Sequence, residues 1–63
     1  MQHATKLETE ARHLFKLARA LADALRSGDP TASFEARDDM EVLEMNAHNP
    51  QIKARAARAL ATL

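Results

Sequence analysis

"SGDP", residues Ser27 to Pro30, ends one helix and begins the next with nothing between them. Gly28 supplies the left-handed residue that closes a helix without a Cβ penalty. Asp29 is a good N-cap, and Pro30 suits the first helical position, where the missing N–H would have had no intrahelical partner. Thr31 and Ser33 are alternative caps. A connection this short joins antiparallel neighbours, so the chain reads as a helical hairpin.

Upstream, "TKLE" from Thr5 to Glu8 forms a capping box in which the threonine hydroxyl and the glutamate carboxylate each accept from the other's backbone N–H. No proline or glycine interrupts the chain from there to Ser27, which predicts a first helix over about 6–27. Downstream, "HNP" from His48 to Pro50 is the next punctuation. Proline disfavours the α conformation at Asn49, itself a good N-cap, so the second helix is expected over about 30–47 and a third over about 50–62. A kinked continuation of the second helix is the alternative at Pro50. The expected fold is all-α: residues 1–63 form one small domain, an antiparallel hairpin plus a short third helix that completes a helical bundle as a dimer.

On the first helix, Leu7, Leu14, Leu21 and Leu25 share a face with Ala4, Ala11 and Ala18, a leucine row beside an alanine row that predicts close helix approach. Leu17, Ala24, Phe15 and Ala22 widen the apolar arc to about half the circumference, enough for two neighbours. The second helix is harder to place on one body. At about 100° per residue, Ala32, Ala36, Met40, Leu43 and Ala47 fall on one face, and Phe34, Val42 and Met45 on nearly the opposite face, with Asp38 among them. The first face is expected to pack on helix 1. The second is monomer core against helix 3, a dimer seam, or a surface for an unrelated protein, and methionine beside carboxylates suits an adaptable contact. On the third helix, Ile52, Ala56, Ala59, Leu60 and Leu63 form a single stripe.

A chain of 63 residues buries only about 60% of the surface that it exposes when unfolded. Such a core rarely yields more than about 3–5 kcal/mol net, which points to self-association or a partner as added support. There is no cysteine, so neither disulfides nor thiolate metal ligands are available. No run approaches the roughly 20 apolar residues of a membrane span, and "MQHATKLETE" lacks the apolar centre of a secretory signal, so a soluble cytoplasmic protein with no membrane contact is expected.

Formal net charge is +0, but its distribution is uneven. Residues 1–28 sum to +2, residues 29–49 to −5 and residues 50–63 to +3. Either the acidic middle helix neutralises its basic neighbours inside the bundle, or it awaits a partner with a basic groove.

Few motifs carry chemistry. Glu10 and His13 have the i,i+3 spacing with which di-iron carboxylate bundles place two ligands, although Asp39, Glu41, Glu44 and His48 supply no matching second motif. The simpler reading leaves Glu10 near the N-terminus of a helix dipole, His13 on the surface, His48 as a favourable helix C-terminal residue and His3 in a frayed end. No metal or other cofactor is expected. Nor is an enzyme, because the hydroxyls sit at caps and three short helices leave little room for a pocket of even about 300 Å³. "KARAAR" offers cations but no aromatic beside them for base stacking.

These readings converge on a non-enzymatic protein–protein interaction module, a small regulator or adaptor, homodimeric, that binds another protein through Phe34, Asp38, Glu41, Val42 and Met45. The alternative is a nucleic-acid-binding dimer that uses Arg12, Lys16, Arg19, Lys53, Arg55 and Arg58.

Overall fold

The computed structural model describes residues 6–62, with side chains from Glu8 onward. It contains three helices, α1 (Lys6–Ser27), α2 (Pro30–Asn46) and α3 (Pro50–Ala61), and no strand among the described residues. Thr5 of the capping box, together with His3, Ala4 and Leu63, lies outside the described residues.

Both punctuation points act as their chemistry dictates. Gly28 has φ 71°, in the left-handed region. Asp29 is the cap, in preference to Thr31 or Ser33: its Oδ1 accepts from the Thr31 and Ala32 N–H groups at 3.0 and 3.3 Å. At the second turn Ala47 leaves the helix with ψ 138° and Asn49 is extended with ψ 124°. Asn49 then caps α3 by accepting from Gln51 and Ile52 at 2.8 and 3.3 Å. With the three residues 47–49 outside any helix at this junction, α3 is a separate helix and not a kinked continuation of α2.

α3 closes the groove between the two hairpin helices. Its buried Ile52 and Ala56 join Met40, Leu43 and Ala47 of α2, with Leu14, Leu17 and Ala18 of α1 packed against them. A second cluster lies nearer the hairpin turn, where Leu21 and Ala24 of α1 meet Ala36 and Ala32 of α2. There the small-residue approach expected of the hairpin is realised, with alanine facing alanine. Met40 is fully enclosed, and burying a side chain of that size is worth about 1.5–3 kcal/mol.

The buried arc of α1 is not centred where the leucine spacing places it. Ala11 and Leu25 are exposed, whereas Leu17 is half-buried and Ala24 buried. The cause is that α1 faces two helices of unequal length. Ala24 must meet α2, and α3, with only 12 residues, ends where Ala59 and Thr62 approach Ala22 and Leu25. Leu25 therefore projects past the end of the helix that would have covered it.

Candidate interaction surface

The two faces of α2 separate as its periodicity requires. Ala36, Met40, Leu43 and Ala47 are buried. On the opposite side Phe34 is 71% exposed, Val42 50% and Met45 74%. α3 packs on the same side of α2 as α1 does, so it leaves this second face uncovered, and the stripe is not monomer core. Asp38 stands one turn from both Phe34 and Val42. Glu41 sits one turn before Met45 and pairs with Arg37 at 3.8 Å. Phe34 also forms one wall of an open apolar cleft of about 320 Å³, with Leu21, Leu25, Pro30, Ser33 and Arg37 as the rest of its lining.

The charges do not neutralise one another across the bundle. The ion pairs among the described residues are Arg26 with Asp23 and Arg37 with Glu41, each within one helix. Arg12, Lys16 and Arg19 on α1 and Arg55 and Arg58 on α3 are all exposed and in no ion pair among the described residues. The same holds for Glu35, Asp38 and Asp39 on α2. Acid and base thus face solvent on different helices. α1 carries its own exposed apolar residue amid its cations: Phe15 is 70% exposed, three residues after Arg12 and four before Arg19.

Lys53 differs from the other cations. Its Nζ donates to the carbonyl oxygens of Glu44 and Met45 at 3.0 and 3.2 Å. These are orphan acceptors of the last turn of α2, where a cation is favourable. Lys53 is therefore a cap that ties α3 to α2, and it is withdrawn from a phosphate-facing set.

Glu10 also has a role that neither the metal pair nor the helix-dipole reading supplied. Its carboxylate accepts from the backbone N–H groups of His48 and Asn49, at 2.5 and 3.0 Å. It clasps the α2–α3 turn onto α1. His48 lies outside α2 and takes part through its backbone, while His13 is exposed. Among the described residues no group of three or more potential ligands could hold a metal ion. The sequence does contain the signal for this clasp: Glu10 falls beside the apolar arc, near Leu17 and Leu21, and two residues before Pro50 lie backbone donors that no helix can use.

Concavities larger than the sequence reading allowed are present, yet they are open grooves. One of them, about 530 Å³, runs along Ala20, Ala24, Ala32 and Ala36 between α1 and α2. No helix among the described residues is long and apolar enough to cross a membrane. The fold and its surface define a three-helix all-α chain that leaves the outer face of α2 uncovered. No family model, characterised protein or solved structure matches it.

Proposed function

We propose that the chain is a non-enzymatic protein-interaction module of the cytoplasm, a small helical regulator or adaptor that binds and modulates another protein and associates with itself as a homodimer. One observation carries this reading: α2 buries Met40 and Leu43 on one face while Phe34, Val42 and Met45 stand exposed on the other. Water contact with three large apolar side chains in one row is unfavourable, and covering them is the gain that drives association. Asp38 and Glu41 beside the row supply orientation more than affinity.

Val42→Lys and Met45→Lys test it. Both variants keep wild-type helicity by circular dichroism and lie within about 0.5 kcal/mol of wild-type stability, because they place charge in solvent. Both lose self-association by sedimentation. Loss of folding in these variants would instead mark the row as core and overturn the reading.

A second reading, a nucleic-acid-binding dimer, is favoured by the exposed, unpaired state of Arg12, Lys16, Arg19, Arg55 and Arg58. Lys53 no longer belongs with them. Retention on heparin that falls steeply with salt supports this reading, and absence of retention at low salt removes it.

A further inference from the structure

The outer face of α2 has a complement on the same chain, placed where it cannot be used internally. On α1, Ala24 meets Ala36 of α2. At about 100° per residue Phe15 lies some 180° from Ala24, on the side of α1 that points away from α2. On α2, Asp38 and Met45 lie opposite Ala36, on the side that points away from α1, and Phe34 stands at the edge of that side, where it also walls the cleft with Leu21 and Leu25. The two faces therefore occupy opposite edges of the hairpin. One is apolar and acidic on balance, with Phe34, Val42 and Met45 beside Asp38 and the Arg37–Glu41 pair. The other is apolar and basic, with Phe15, Ala11 and Ala22 beside Arg12 and Arg19. Asp38 on the one side and Arg12 and Arg19 on the other are in no ion pair among the described residues.

We infer that these faces bind each other between copies: the outer face of α2 of one molecule docks on the outer face of α1 of the next. The inference rests on the reading of the α2 row as a binding surface, and it names the occupant. Sizes match as well as charges. Phe34 to Met45 and Ala11 to Ala22 each span about 16 Å of helix, and three large side chains on α2 meet mainly alanine around a single phenylalanine on α1. Symmetric alternatives are disfavoured by repulsion: α2 against α2 brings Asp38 and its neighbours onto their own copies, and α1 against α1 does the same with Arg12 and Arg19. Because the two faces differ and point in opposite directions, the contact is heterologous. It leaves one free face at each end, and so a dimer is the first step of a chain of copies and not its limit. Single helix faces of this length lie at the small end of interface sizes, which makes the contact concentration-dependent.

Sedimentation of the full chain over a concentration series tests this, with Met45→Lys disabling the α2 face and Phe15→Glu the α1 face. At low salt the wild type passes through dimer to larger species, and at about 1 M salt, where the Debye length is about 3 Å, the same species form only at higher protein concentration. Each variant alone is a folded monomer. An equimolar mixture of the two forms a one-to-one dimer and grows no further, since each retains the face that the other has lost. Should either variant fail to fold, Asp38→Lys and Arg19→Ala, both at exposed polar positions, replace them in the same mixing experiment. A wild type that stays monomeric at every concentration and salt would overturn the inference while leaving the α2 face available to another protein. So would a Phe15→Glu chain that dimerises as the wild type does, which would reveal a symmetric α2 contact, or a mixture that stays monomeric. A chain that unfolds on Met45→Lys, with Asp38→Lys still associating normally, would overturn both this inference and the reading of the row as a binding surface.

Discussion

Glu10 and Gly28 each hold a turn, by different physics. Gly28 has φ 71° and nothing within 4 Å of the position a Cβ would take. Gly28→Ala therefore costs only backbone strain, about 1–2 kcal/mol, and Gly28→Asn less, because asparagine tolerates the left-handed region. Chemical denaturation of the two variants checks the order, and an alanine variant as stable as wild type would mean that the turn relaxes out of that conformation. Glu10 acts through contact: its carboxylate receives two backbone donors from residues 38 and 39 positions away. Removing it in Glu10→Ala leaves the His48 and Asn49 N–H groups to water and is expected to cost about 1–2 kcal/mol, since hydrogen bonds to charged groups are worth more than neutral ones. Glu10→Gln, which keeps one acceptor oxygen, recovers part of that loss. An unchanged melting temperature in Glu10→Ala would show that the capped Asn49 turn holds without the clasp. The turn at Gly28 was legible in the sequence because its cause is local. The clasp at Glu10 was legible only in its two halves, a carboxylate beside the apolar arc and free donors before Pro50, because spacing within one helix records neighbours three or four residues apart and does not join it to a donor so far along the chain.

At the scale of the element, α2 is decided by its period. Its buried and exposed rows follow from about 3.6 residues per turn alone, and both were legible before any neighbour was placed. Substitution should separate them cleanly. Leu43→Ala and Met40→Ala remove enclosed side chains and are expected to cost about 2–5 kcal/mol each, whereas Met45→Ala on the exposed row stays within about 0.5 kcal/mol. Denaturant unfolding of the three variants decides it, and a stable Leu43→Ala would mean that the two faces are reversed. α1 shows the opposite case. Its apolar arc is wide enough for several neighbours, so periodicity alone does not say which part is buried. The answer depends on where α3 stops, and Leu25 is exposed because a 12-residue helix falls short of it. The same ambiguity hid Phe15: an aromatic at the margin of a broad arc reads as core until the neighbours are counted.

At the scale of the whole molecule, zero net charge conceals a separation of charge that the fold preserves. Composition and segment sums made the acidic middle and basic flanks legible, but not whether they would meet, since that depends on which sides of the helices face inward. The folded chain buries the apolar sides and turns Asp38 and Glu35 outward on α2, Arg12 and Arg19 outward on α1. Its ion pairs among the described residues are i,i+3 and i,i+4 contacts at the surface, each worth about 0.3–0.5 kcal/mol and easily screened. Folding and association should therefore respond to salt in different ways. For dilute protein, where copies are apart, the melting temperature is expected to change little between about 0.01 M salt, with a Debye length near 30 Å, and about 1 M, with one near 3 Å. At high protein concentration the low-salt melting temperature should rise, because association between folded copies adds stability by mass action, and the rise should be smaller at high salt. Melting curves at two protein concentrations and two salt concentrations are sufficient. A dilute chain that loses stability steeply with salt would show that acid and base neutralise each other within one molecule, and the outward faces of α1 and α2 would then have no charge left to recognise another copy.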